Sequence, residues 1–566
     1  MPMKNRKTSL WEWFCILAIP WPVVIFKILV KAKELLTVYV RGQPLTEGTA
    51  DYKPAIVIAL VGWLCILMLN LQRHSNGKKV TLLSWTIKMD YEPQKVTARK
   101  HRAMYPEIPS EYLSLNTSGG IVLGKQIGGK DYVMYKISAI KNTLAGALFV
   151  GGPGSGKTTL MITTILEVLR RDDPPISAMV IDIKPEIADK TRMPDDPNSK
   201  IVNPFDRMSY GFDLYYNLTP DSSDDEIMTT LDNICTSLID CPPDSRDKFF
   251  YESGRTIAEA IMFYKLKKNW EESLDSTMMD GLDLLLSDDA ASLVNKVLKE
   301  TEDQPTYIRV RKLLKPYANK DGEAFQGIEL AIRQSLKIFT YSNIRWFFGD
   351  TPKKASPKDL EQGISLYLCM PEYYLDDYYM VLKLISESVI KYCSTRPDNP
   401  KRKILLYLDE APRLHLSATT VLQQGIALGR SRGLVTILAA QTMQQIMSAW
   451  KKEDAKSMAD LCQVQCYLSC SDKESAELIC SQVGKYAEEH IQYSESSQNA
   501  SFSRSFNDKN TLEPADLMDL QEKGEAVVII KGKYMRVNAV DARYYKIPEL
   551  NKISQECLAA NNPKED

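Results

Sequence analysis

The chain has 566 residues, room for about three or four domains at roughly 100 to 200 residues each, so a small disulfide-stapled module is excluded. Its composition is 44% hydrophobic and 25% charged, which fits neither a disordered polymer nor a many-helix transporter. Lys and Arg number 71 against 72 Asp and Glu, a formal charge of -1, so any contact with nucleic acid must come from a local patch or an assembled pore. The 11 cysteines are odd in number and scattered without a Cys-x-x-Cys pair, which argues for a reduced, cytoplasmic body rather than a disulfide frame or zinc site.

Two apolar segments come first. Residues 11–30 (WEWFCILAIPWPVVIFKILV) have about the ~20-residue length that crosses a bilayer, with Trp11, Trp13 and Trp21 suited to the headgroup level and Lys27 able to snorkel. A cleaved signal is the competing reading, but no small-x-small cleavage site follows the run. Residues 55–71 (AIVIALVGWLCILMLNL) are uncharged. Basic residues precede the first span (Lys4, Arg6, Lys7) and follow the second (Arg73, Lys78, Lys79), which places both ends in the cytoplasm. The expectation is a two-helix transmembrane anchor over 1–75, in the cell membrane, with most of the chain cytoplasmic.

Residues 80–150 mix short alternating runs with turn residues and predict a strand-rich leading subdomain. Then LAGALFV (144–150), a strand pattern, leads into Gly151, Gly152, Pro153, Gly154, Ser155, Gly156, Lys157, Thr158 and Thr159, and an amphipathic run follows. G-x-x-x-x-G-K-T between a strand and a helix is the context of a phosphate-binding loop. Its glycines let backbone N–H groups curl around phosphate oxygens at a helix N-terminus. Lys157 is expected to reach the β and γ phosphates of ATP, and Thr158 to ligate Mg2+.

Between residues 224 and 340, six runs space apolar residues at three and four and predict an all-α domain. Arg309, Arg311, Lys312 and Lys315 give it a basic stretch, which is either a DNA-facing surface or a solvated helix face. Far downstream, KILLYLDE (403–410) reads as a buried parallel strand carrying acids to its C-terminal edge. There Asp409 is expected in the magnesium shell and Glu410 beside the attacking water. Strand patterns at 178–183, 365–370, 434–440 and 464–470 complete a doubly wound parallel sheet. Asp182, Lys184, Glu186 and Gln441 would surface at its nucleotide edge, Gln441 where a γ-phosphate sensor would stand. SESSQNASFSRSFNDKN (494–510) is polar and predicts a loop.

The ordered set resembles the type IV coupling proteins, the TraD/TraG-like ATPases of conjugation and type IV secretion. The stretches that carry the likeness are GGPGSGKTT, VIDIKPE, VNPFDRMSYGFDLYYNL, DKFFYESGRTIAEA, YLDEAPRL and LGRSRGLVTILAAQTMQQI, running to ARYY near Tyr545. The resemblance implies a membrane-anchored, homohexameric, RecA-like P-loop NTPase with an inserted all-α domain. Such a motor uses ATP and Mg2+ to link relaxase-bound single-stranded DNA, or secreted proteins, to a type IV secretion channel. It implies a RecA-like domain over 76–222 and 351–545, the all-α domain over 223–350 and a short tail over 546–566. Arg430 or Arg432 in LGRSRG is then the candidate arginine finger acting across a subunit boundary, Arg430 preferred. An extended acidic tail of longer members has no counterpart after Tyr545, which leaves the helical insertion as the candidate for substrate recruitment.

Three other readings compete. An ABC-type ATPase requires an LSGGQ-like signature before KILLYLDE, and none is present. A septal-type double-stranded DNA translocase shares motor and anchor but normally lacks an all-α insertion at this point. A nucleotide-gated membrane scaffold would hardly hydrolyse ATP.

Overall fold

The structure, a computed structural model, describes residues 108–562 except 118, 138–143, 145, 170–175, 242–246, 320–321, 418–419 and 496–499. Both expected membrane spans, at 11–30 and 55–71, lie outside the described residues. Among the described residues no helix is long and apolar enough to cross a membrane. Two compact units divide the chain, and the larger, Val96–Glu488 with Asn507–Asp566, holds all that follows except the strand residues between Glu489 and Phe506.

In chain order the strands are β1 (Leu113–Ser114), β2 (Gly120–Gln126), β3 (Tyr132–Lys136), β4 (Gly146–Val150), β5 (Ile176–Asp182), β6 (Ser199–Val202), β7 (Gly211–Phe212), β8 (Lys354–Ala355), β9 (Ser365–Cys369), β10 (Lys403–Leu408), β11 (Leu434–Ala440), β12 (Val464–Tyr467), β13 (Lys485–Glu495), β14 (Ala500–Asn510), β15 (Glu525–Ile530) and β16 (Lys533–Asn538). Twelve of them form one sheet in the order β1–β3–β2–β16–β15–β12–β4–β11–β10–β5–β9–β6. From β12 to β6 neighbouring strands run parallel. From β12 back to β1 they run antiparallel.

The strands expected to be parallel, β4, β5, β9, β10, β11 and β12, are so, and the whole sheet is mixed because antiparallel strands are added beyond β12. The cause is local: β15 and β16 are joined by two residues, Lys531 and Gly532, at φ 49° and 77°. A two-residue turn with both centres at positive φ makes a hairpin, and a hairpin is antiparallel. Strands β1 to β3, from the described part of the leading segment, then add to the free edge of β16 and extend the main sheet. Strands β13 and β14 pair with each other in a separate two-stranded sheet where a loop was expected. The alternation of serines with Phe502, Arg504 and Phe506 is a period-two pattern hidden by the polar composition.

The central strands read as unbroken apolar runs because both their faces are covered. Every residue of β4, β5, β9 and β11 is buried. Alternate side chains serve two cores: Leu148 and Val150 of β4 point into one, Ala147 and Phe149 into the other. The second core is closed by α1 (Lys157–Leu169) and α2 (Glu186–Thr191), which contributes Ile187 and Ala188.

The first core continues without a break into the helical region. That region comprises α3 (Asp224–Leu238), α4 (Lys248–Glu271), α5 (Met278–Ser287), α6 (Ala290–Glu300), α7 (Ile308–Leu314) and α8 (Glu323–Leu336). Helix α3 starts where the Ser223 side chain accepts from the Glu226 N–H and Glu226 reaches back, a capping box that satisfies two end donors. At the centre of the bundle α4 buries Ile257, Ile261, Met262 and Phe263. Helix α9 (Leu375–Ser394) belongs to the same core, as does α10 (Met443–Leu461). At the C-terminus Pro548–Asn561 is a helix, α11, where a short tail was expected; its Asn561 amide donates to the carbonyls of Asp189 and Arg192 beside α2.

Phe149 is fully buried in the middle of the parallel ladder. Phe149→Ala is expected to cost about 3–5 kcal/mol of unfolding free energy, measured by urea denaturation.

Candidate functional site

The turn after β4 is held on both sides. Gly151 N–H donates to the Ala440 carbonyl at the end of β11 (3.1 Å), and Gly152 N–H donates to Ser469 Oγ beyond β12 (2.7 Å). Gly154 and Gly156 take φ of +75° and +98°, conformations that L side chains rarely adopt. A β-carbon on Gly151 would collide with Ser155 Oγ. The turn feeds directly into α1, whose first residues are Lys157, Thr158 and Thr159 and whose first amides lack helical acceptors. Thr159 Oγ donates back to the Gly156 carbonyl (2.7 Å). The product is a backbone cradle at the positive end of a 13-residue helix, a fit for phosphate.

Three distant segments converge at its mouth. Lys157 Nζ lies 3.4 Å from Glu410 Oε1, and Gln441 Nε2 donates to the same oxygen at 3.1 Å. The other oxygen, Oε2, is buried and has no hydrogen-bond partner among the described residues. Glu410 sits at φ 47°, a left-handed conformation that a glutamate holds only under constraint from its surroundings. Beside it, Asp409 accepts from the Tyr407 hydroxyl (2.9 Å). Burial, reinforced by the neighbouring Glu410 charge, pushes the Asp409 carboxyl up to about 6. Asp182 is buried at the end of the adjacent β5 and pushed up to about 8, burial outweighing the bond it accepts from Ala188 N–H (2.8 Å).

Acids raised by burial are acids that a cation would stabilise. Asp409 could thus take part in holding a divalent cation, and the buried Oε2 of Glu410 is left able to accept a further hydrogen bond. Lys184 and Glu186 lie apart from this group, paired with Glu372 and Lys190.

Residues 112–564 match the family model of the type IV secretory system conjugative DNA transfer proteins. The chain belongs to this family of type IV coupling proteins. The type IV secretion system-coupling protein VirD4 of Bartonella henselae is 19% identical over 299 residues, covering 51% of this chain and 45% of VirD4. The chain thus matches less than half the length of that relative. The bacterial conjugative coupling protein TrwBdeltaN70, in its unbound monoclinic form, has a TM-score of 0.55 at 16% identity, covering 78% of this chain and 91% of the other. Plasmid coupling protein TrwB in complex with ADP and Mg2+ has a TM-score of 0.51 at 16% identity, covering 69% and 84%. These two likenesses establish the fold, a mixed α/β sheet of the TrwB kind.

In this coupling-protein family member the sequence motifs locate Lys157, Asp409, Glu410 and Gln441 at one edge. They do not bring in Arg430. It is exposed before β11, at the opposite end of that strand from Gln441, roughly 20 Å away at ~3.3 Å per residue. Arg432 is tied into the fold: it donates to the Arg396 carbonyl and faces Asp398 at 3.6 Å, while Arg396 donates back to the Arg432 carbonyl. In the helical region Arg309 pairs with Asp225, and Arg311 donates to the carbonyls of Thr301 and Gln304, so half of the basic stretch is used internally.

Sequence reading missed Ser469, Gln521 and Arg543, all of which bond the phosphate loop from the C-terminal part of the chain. No local motif marks their contact with the loop, although Ser469 lies in the strand pattern at 464–470 and Arg543 in ARYY, both already singled out. Arg432→Ala is expected to lower stability by about 1–2 kcal/mol, read by urea denaturation, because it leaves the Arg396 carbonyl without its donor.

Proposed function

We propose that this chain is the membrane-anchored ATPase of a conjugation or type IV secretion apparatus. It hydrolyses ATP with Mg2+ to move relaxase-bound single-stranded DNA, secreted proteins or both toward the channel. The observation that carries the reading is the convergence of Lys157 and Gln441 on one oxygen of Glu410, at the mouth of the phosphate loop, with the second oxygen left unpartnered. A scaffold that only bound nucleotide would have no use for a carboxylate held in this way.

The loop from Gly151 to Thr159 binds the phosphates of ATP through its amides. Lys157 exchanges its partner, leaving Glu410 for the β and γ phosphates, whose negative charge outcompetes a single carboxylate. Glu410, released from the ammonium, orients the attacking water and takes its proton. Gln441 bonds Glu410 directly and so stands where the γ-phosphate ends. Thr158 and Asp409 would hold magnesium, which when bound neutralises charge on the phosphate oxygens.

Arg430 acts in trans. Its place at the far edge of the sheet keeps it from its own site, and in a homohexamer it would be supplied to a neighbour's. DNA or protein cargo would pass through the ring, and the apolar segments at 11–30 and 55–71 would anchor the assembly in the cell membrane with the body in the cytoplasm.

Lys157→Ala and Glu410→Gln are expected to abolish steady-state ATP hydrolysis, with Glu410→Gln still binding ATP; wild-type turnover by either would overturn the assignment. Single-stranded DNA should raise wild-type turnover, an effect that fades at high salt, whereas a scaffold would show negligible turnover under both conditions. Mixed Arg430→Ala and Lys157→Ala subunits should recover part of the activity that each lacks alone. Absence of any recovery would count against Arg430 acting across subunits. In membrane fractionation the full-length protein should require detergent for extraction, and its recovery in the soluble fraction would remove the anchor.

A further inference from the structure

The phosphate loop is gripped from behind by two donors that the chemistry above does not use. Gln521 Nε2 donates to the Pro153 carbonyl at 3.0 Å, and Arg543 Nη2 donates to the Ser155 carbonyl at 3.0 Å. The guanidinium lies against the α-carbon of Gly156, where an added β-carbon would stand 2.5–2.9 Å from three of its atoms. Both donors are mounted on one corner. Gln521 is in the short helix Leu520–Lys523, and the Gly524 carbonyl that ends it accepts the N–H groups of Ala539 and Val540, just before Arg543. The Ala542 carbonyl in turn accepts from Thr163 Oγ of α1 (3.1 Å), fixing the corner to the helix that the loop begins.

The consequence follows from peptide geometry. In a trans peptide the C=O and the next N–H point in opposite directions. Holding the Pro153 carbonyl outward turns the Gly154 N–H inward, and holding the Ser155 carbonyl outward does the same for the Gly156 N–H. These are the two positive-φ glycines, the positions at which the loop's peptides could most easily turn over. A cationic donor also polarises the peptide it binds, making the Gly156 N–H a stronger donor to an anion.

We infer that Arg543 and Gln521 form a clasp that pre-organises the phosphate loop, with Arg543 a positioning residue for the polyphosphate of the nucleotide. This rests on the nucleotide-site reading of the loop and adds to it that affinity for phosphate is set from the C-terminal corner. Because the clasp touches only the backbone of the loop, it acts on the phosphate chain and is indifferent to base and sugar.

The test measures binding of MgATP and of inorganic tripolyphosphate with magnesium to the full-length protein and to Arg543→Ala, Arg543→Lys, Gln521→Ala and Lys157→Ala. Arg543→Ala should bind both ligands about tenfold more weakly, a charge-assisted bond being lost. Arg543→Lys should recover a substantial part, and Gln521→Ala, losing a neutral and exposed bond, should bind about two- to threefold more weakly. Melting of nucleotide-free Arg543→Lys and Gln521→Ala should stay near wild type while the rise produced by ligand shrinks; Arg543→Ala, which leaves the Ser155 carbonyl without its donor, should melt somewhat lower and also show the smaller rise. Unchanged tripolyphosphate binding by Arg543→Ala, a loss confined to ATP, or Arg543→Lys no better than alanine would each overturn the clasp. Should Arg543→Ala fail to fold, Arg543→Lys and Gln521→Ala carry the same comparison. Wild-type affinity in Lys157→Ala would instead bring down the nucleotide site, and the clasp with it.

Discussion

Parallel pairing of β4, β11, β10 and β12 is the constraint from which the site follows. The register sets Val150 opposite Ala440 and Tyr467, and Leu438 opposite Leu408. Glu410, two residues beyond Leu408, therefore comes level with Ala440, one residue short of Gln441, beside the start of the phosphate loop. Segments separated in sequence by more than 250 residues deliver their polar ends to one place because parallel strands align their C-termini. A shift of one residue in any of these ladders would turn apolar side chains between the two cores and move the acids off the mouth of the loop.

The polar groups at that edge are balanced against burial. Glu410 shares one oxygen between Lys157 and Gln441, while Asp409 and Asp182 are held in their raised states by the apolar sheet around them. A buried cluster of acids with, among the described residues, only the Lys157 ammonium paired to it is costly on its own and gains from added positive charge and hydrogen-bond donors. The left-handed backbone of Glu410 has the same character, a local strain of about 1–3 kcal/mol maintained by the folded surroundings.

Two connections run outward from the mouth. On one side, Glu387 of α9 accepts from Ser237 of α3 and from the Ser417 N–H (3.2 Å) in the segment after Glu410, tying the helical region to the loop that carries the acid. On the other, Ser469, Gln521 and Arg543 bond the phosphate loop from the antiparallel side of the sheet. The phosphate loop is thus hydrogen-bonded directly to the C-terminal corner, and the segment after Glu410 is linked through Glu387 to the helical region.

The amino-acid sequence by itself determined the parallel core and the polar residues that meet at its edge. A strand buried on both faces must be written as an unbroken apolar run, so 144–150, 403–408 and 434–440 were legible, and the loop at 151–158 needs glycine where φ is positive. Helices from Asp224 to Leu336 were legible for the same reason, since one-sided burial writes a period of three and four. Tertiary structure alone decided the rest. That β1 to β3 join the main sheet depends on a free edge at β16, which no local pattern records. The part of Arg543 and Gln521 is set by backbone carbonyls of a loop hundreds of residues away, and a carbonyl is the same atom whatever residue carries it. Arg430 and Arg432 stand two residues apart in one motif, and only their environments, an exposed strand start and a mesh of backbone bonds, set them apart.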